Sequence, residues 1–361
     1  MKLNKLTTLS NKNINSIFEH YSELDYEVEP MCIKIIYQLI HQSNVQEDTV
    51  TKTKAHPRVV SPFMSNEIRE FIENHTWNQY ATCYYIDTMN VNVCLYSHTP
   101  IDPSQYLFFI KLVLTMCTKA ATCKHKDIHI KIVLTPNKKK YPKAPIKPDN
   151  INGGHTDPNK NEIVIFRKEE WFKVFIHECF HLFMLDFCDT TIDFRRIFKP
   201  MYNVDSKFLL FETLTEFWAR IINLSVVSYY TKEQITYEEF KQVMNINIQV
   251  ERLYSIAQMN HLLGRMGYTY QDLISFNKPI LKETTNFFCY YVLPTVMFFY
   301  LNDTMKWFIK HHSFIQFSKD KVYPFTNYIK QHYNKHEFLQ YIQLLDKPLY
   351  NSNMAAFEIL F

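Results

Sequence analysis

This sequence predicts an α+β fold: a small mixed sheet with a motif-bearing helix in residues 65–225, a helical domain in 226–361, and an N-terminal helical appendage and linker in 1–64. Three observations predict it. Strand-like runs, rich in β-branched and aromatic residues or alternating apolar with polar, are confined to the stretch 80–167. Beyond it the periodic segments repeat with the helical period. Only four Gly occur in 361 residues, too few for the tight turns of a many-stranded barrel or for a Gly-rich phosphate loop.

Composition narrows the function classes. An apolar share of 47% is ample for a sizeable core, and a formal net charge of +4 is too small and too scattered to mark a nucleic-acid binder. The eight Cys contain no CxxC pair, which suits reduced thiols in a reducing compartment. The polar start MKLNKLTTLSNKNINSIF lacks the apolar run of a secretory signal, so the expectation is an intracellular, cytoplasmic protein. The longest apolar run, 287–301, is shorter than the roughly 20 residues of a membrane span and contains Pro294; it reads as a buried, kinked helix. High Asn, Ile, Lys and Tyr with so few Gly suggests an AT-rich genome, as in a large DNA virus or a protist, which leaves a virion location open.

Taken in order, residues 31–41 carry a short helical pattern, and 46–54 with Pro57 and Pro62 reads as loop or linker. A helix runs from Ser65, its cap, to about Asn74. The runs 80–87 and 91–97 are a hairpin. A buried helix follows over 104–122, then a strand over 127–135 with Ile128, Ile130, Ile132 and Leu134 on one face and His129 and Lys131 on the other. The stretch 137–152 carries Lys138, Lys139, Lys140, Lys143 and Lys147 and reads as a solvated loop. Gly153, Gly154, His155 and Thr156 lead into a short strand, 162–167, whose free edge can hold an extended peptide by main-chain hydrogen bonds; Gly154, His155 and Thr156 are candidate substrate contacts. The helical segments downstream are 237–266, 284–301, 304–312, 324–333 and 337–345.

The chemistry is concentrated in residues 171–187, WFKVFIHECFHLFMLDF, with His177, Glu178 and His181 spaced as HExxH. A helix returns to the same face after four residues, so both imidazoles point one way and can grip a single zinc ion. Glu178 then stands beside a zinc-activated water as its general base. Two His and a Glu in so apolar a helix are costly unless something pairs with them.

Two His leave a catalytic zinc one protein ligand short. Residues 208–223, FLLFETLTEFWARIIN, place Glu212 and Glu216 four apart on one helical face. With this pair the sequence resembles the gluzincins, the thermolysin-like zinc metallopeptidases in which a Glu on a later helix completes HExxH. The resemblance spans about 125–223. It implies a zincin-like catalytic domain, one Zn2+ and hydrolysis of peptide bonds in a peptide or protein substrate. The run Thr215, Glu216, Phe217, Trp218, Ala219 is similar to the ligand context of the aminopeptidase N and lethal factor families, which makes Glu216 the third ligand and Glu212 the residue behind it; the thermolysin pattern makes Glu212 the ligand. Arg220 departs from both. The family also uses a downstream oxyanion donor, for which His261, Tyr290 and Tyr291 are candidates. The contrasting expectation is a non-catalytic zincin-fold protein, a binding or structural module, and the intact Glu178 counts against it.

Overall fold

The structure is a computed structural model, and it describes residues 6–20, 27–43, 50–53, 59, 61–74, 81–122, 125, 127–140, 146–345 and 353–359. The chain divides into two units. One contains residues 39–139 and 152–185 and carries the main sheet; the other contains 1–38, 140–151 and 186–360. Each is assembled from segments far apart in sequence, because packing partners and chain neighbours need not coincide.

In the sheet unit six strands, β1 Val50–Thr53, β2 Thr82–Ile86, β3 Val91–Tyr96, β4 Ile128–Val133, β5 Gly154–Asp157 and β6 Glu162–Ile165, lie in the order β1-β2-β3-β4-β6-β5. β2 and β3 form the expected antiparallel hairpin. β3, β4 and β6 are parallel neighbours, while β1 and β5 are antiparallel edge strands. Parallel neighbours need a crossover, and the helix Pro103–Ala120 supplies it between β3 and β4. Asp102 starts that helix by accepting the Ser104 N–H at 3.0 Å, with Pro103 preset at the first helical position. The helix is buried on nearly all sides, Lys111 included, as its apolar content requires. In β4, Ile128, Ile130 and Ile132 are buried while His129 is exposed. Ser65 caps the helix Asn66–Asn74 by accepting the Ile68 N–H.

Neither β1 nor β5 is in the sequence expectation. β1 falls inside the polar stretch 46–54, where no alternation marks a strand, and it forms because β2 presents an edge to pair with. β5 is the stretch expected only to lead into a strand. In the lysine-rich loop Lys138, Lys140 and Lys147 are exposed, as expected, and Lys139 is the exception. Lys139 is 4% exposed, its ammonium pairs with the buried carboxylate of Glu170, and its N–H donates to Glu169 at 2.6 Å. Lys143, Pro57 and residues 46–49 lie outside the described residues.

The expectation of reduced thiols is corrected at one pair. Cys83 and Cys94 are direct partners across β2 and β3, Cα–Cα 4.0 Å, and are joined by a disulfide. Spacing in sequence does not reveal a cross-strand pair; register does.

The described residues of the other unit are mainly helical, with a small parallel pair, β7 Val204–Asp205 with β8 Leu281–Lys282, and an isolated bridge between Leu6 and Ile359. Its axis is the long helix Tyr237–Arg265, begun by a capping box between Thr236 and Glu239. Against it pack the helix Leu210–Tyr229, the helix Thr8–His20 and the helix Leu293–Phe299. The apolar run 287–301 is buried, as expected, and is broken into a π-helical turn, Phe288–Val292, followed by the helix in which Pro294 takes an opening position. Among the described residues no helix is long and apolar enough to cross a membrane.

Candidate functional site

The motif helix, Trp171–Leu182, packs against β5, β6 and the helix Pro103–Ala120. Its N-terminus is held by the buried Glu170–Lys139 pair, with Glu170 in the left-handed conformation at φ 54°. An anionic side chain there also complements the positive end of the helix. Trp171, Phe172, Phe175 and Phe180 anchor the helix in the sheet unit's core, so its polar face is set by packing on the opposite side. Cys179, inside the motif, belongs to the packed side. It is fully buried, and burial first, then a hydrogen bond with Cys117, pushes its thiol well above the ordinary range, which makes it inert.

The polar face carries His177, Glu178 and His181. His177 and Glu178 are buried at 6% and 7% exposure, and His181 is half-buried. The Nε2 atoms of the two imidazoles are 3.1 Å apart, with the rings nearly perpendicular at 79°. Two imidazole nitrogens bound to one tetrahedral zinc at about 2.05 Å are about 3.3 Å apart. The two nitrogens thus stand close to the separation that two donors to one ion take.

Glu178 is fixed from β5. The Thr156 hydroxyl lies 2.8 Å from Glu178 Oε2 and 2.9 Å from its main-chain carbonyl oxygen. β5 approaches the motif helix this closely because Gly154 has no side chain: a Cβ there would meet Val174 Cγ1 at 3.0 Å and Ile165 Cδ1 at 2.8 Å. His155, between them, has a half-buried ring whose Nδ1 is buried without a hydrogen-bond partner among the described residues. Burial lowers its pKa, with the Glu178 carboxylate the main opposing influence.

The carboxylate helix, Leu210–Tyr229, belongs to the helical unit. Glu212 stands in its first turn at 8% exposure, and Asn286 donates to its Oε1 at 3.4 Å. Glu216, one turn on, is fully buried. Between them Thr215 donates to the carboxylate of Asp186, which also accepts the Cys188 N–H. Arg220, the departure from the family pattern, is a structural residue. It pairs with Glu251 at 2.6 Å, donates to Ser255 and lies over the Phe298 ring.

Of the oxyanion candidates, Tyr290 and Tyr291 sit in the π-helical turn, which packs against the carboxylate helix. His261 lies near the end of the long helix, half-buried, its pKa lowered by burial and by Arg265. The Thr156–Glu178 contact has no sequence signature, since β5 itself is illegible. Neither a family model nor a curated protein nor a solved structure matches this chain.

Proposed function

We propose that the chain is a zinc-dependent metallopeptidase of the gluzincin type, with a zincin-like arrangement of edge strand and motif helix in its sheet unit. The observation that carries this reading is the pair of imidazole nitrogens facing each other at 3.1 Å beside a carboxylate held in place by its own hydrogen bond. The donor set fits zinc, which takes imidazole nitrogen and carboxylate oxygen in a tetrahedral site with one open position. His177 and His181 would hold the ion, and Glu212 is the candidate third donor. The sequence pattern favours Glu216 instead. Burial favours Glu212, which keeps some exposure at the start of its helix, whereas Glu216 is enclosed in the helical unit and suits a supporting role.

Bound zinc would supply Lewis acidity and lower the pKa of a water to about 7. The chain's own residues do the rest. Glu178 takes the proton of the attacking water on its carboxylate and returns it to the leaving amine nitrogen. β5 supplies the substrate cradle. The Phe166 N–H to Gly153 carbonyl bond sets the parity of the β5–β6 ladder, so the main-chain groups of Gly154 and Thr156 point away from β6 and suit an extended peptide. His261, Tyr290 or Tyr291 would donate to the oxyanion.

The test combines metal analysis with a peptide library. The expected result is about one zinc per chain and cleavage by the parent. Glu178→Gln should keep the zinc and lose about a thousandfold or more in rate, while His177→Ala should lose metal and activity together. A parent that binds zinc and cleaves nothing, or a Glu178→Gln variant as active as the parent, would favour a zinc-stabilised binding module over an enzyme.

A further inference from the structure

We propose that Thr156 is a positioning residue for Glu178, the edge strand thereby setting the geometry of the general base as well as holding substrate; this rests on the metallopeptidase reading. A glutamate on a helix has three side-chain torsions and swings freely unless something restrains it. The Thr156 hydroxyl is such a restraint, being within hydrogen-bond reach of both Glu178 Oε2 and the Glu178 carbonyl oxygen. It has a single proton, so it donates to one acceptor at a time, and a bond to the ionised carboxylate is the stronger. That bond occupies Oε2 and leaves Oε1 to accept a proton.

The strand is built to hold this contact. In the β5–β6 pairing Gly154 and Thr156 share a face, and the Gly154 position abuts Val174 of the motif helix, so Thr156 is turned to the helix by register. β5 is short and ends in a locked turn: Asp157 caps it by accepting the Asn159 N–H, its carboxylate pairs with Lys160, and Asn161 closes it at φ 47°. The side chain of Thr156 is directed at the base while its main-chain groups face the opposite way from β6. One residue thus couples the strand that would carry the scissile peptide to the carboxylate that would move the proton. A substrate contact made by main chain is untouched when the hydroxyl is removed, and this separates the two roles.

Thr156→Val keeps the β-branched shape and deletes the hydroxyl; Thr156→Ser keeps the hydroxyl. The experiment is steady-state kinetics of the zinc-loaded parent and both variants on one cleaved peptide, together with crystal structures of all three. Expected for Thr156→Val is a fall in kcat of about 10- to 100-fold with KM within about twofold of the parent, unchanged zinc content, and a Glu178 carboxylate displaced from its position in the parent. Thr156→Ser should restore most of kcat and the carboxylate position. A merely structural role for Thr156 would instead raise KM or lower the melting temperature in both variants and leave the carboxylate where it is. A Glu178 carboxylate unmoved in Thr156→Val, or a Thr156→Val kcat equal to that of a cleaving parent, overturns this proposal alone. A parent that cleaves no peptide overturns the peptidase reading and this proposal with it.

Discussion

Two helices carry titratable side chains in otherwise apolar surroundings, and they treat them differently. On the carboxylate helix, Arg220 is closed off: its Nε and a terminal nitrogen reach Glu251 Oε1 at 2.7 and 2.6 Å, it donates to Ser255, and Glu251 Oε2 accepts the Ala356 N–H at 2.8 Å. Opposite charge and further hydrogen bonds lie beside it within the protein, which is how a structural ion pair survives burial. On the motif helix, His177 and His181 turn nitrogen toward nitrogen, an arrangement that two imidazoles use best when sharing a cation. The difference teaches how to read buried polar residues on apolar helices. Charge paired with opposite charge points to architecture, and imidazole nitrogens turned toward each other are the pattern to test for a metal.

The largest effect that sharpens this comparison concerns the metal donors. Glu212→Ala should abolish tight zinc binding, while Glu216→Ala should weaken it only about 10- to 100-fold; competition against a chelator measures both. Reversed losses would restore the register that the sequence pattern suggests. Arg220→Leu should destabilise the fold by about 3–5 kcal/mol by stranding Glu251 and should leave the zinc affinity of the folded protein unchanged. Denaturant unfolding with metal titration checks it, and a zinc loss in folded protein would show that the two clusters are not separate.

A smaller effect belongs to the cross-strand disulfide. Reduction, or the pair Cys83→Ser and Cys94→Ser, should cost up to about 3 kcal/mol on the chain-entropy account of an 11-residue separation. The reduced hairpin keeps its strand register, so amide protection in β2 and β3 should persist. The smallest is a pH effect. Glu283 accepts the Phe288 N–H at 2.8 Å, and burial pushes its carboxyl up to about 7 against the opposing hydrogen bonds from Ser206 and Phe288; nearby Asp205 adds to the rise. With the folded value above the unfolded one, its contribution is complete below about pH 4.5 and is lost as pH rises through about 7. Glu283→Gln should therefore flatten the fall in melting temperature between pH 5 and 8, by about 2 kcal/mol or less at the upper end. A parallel pH profile in parent and variant would show that Glu283 does not titrate there.

Local patterns were legible where they depend on local chemistry. HExxH on a helix, the Ser65 cap, the alternation of β4 and the hairpin of β2 and β3 are each set by neighbours within a few residues, so composition and spacing suffice to find them. Glu212 and Glu216 were legible as a pair on one face for the same reason. What was not legible depends on pairing between distant segments. β1 is polar and becomes a strand through β2; Lys139 becomes a buried ion-pair partner through Glu170; Cys83 meets Cys94 through register; Arg220 finds Glu251 on another helix.

By itself, then, the sequence determined the α+β class, the helical periods and the candidate residues His177, Glu178, His181, Glu212 and Glu216, because these follow from residue type at helical spacing. Only the tertiary structure decided that Gly154 lets β5 approach the motif helix and that Thr156 is aimed at Glu178. The physical reason is that a hydrogen bond between a strand and a helix 22 residues later depends on sheet register and packing distance, and neither is encoded in any single stretch of chain.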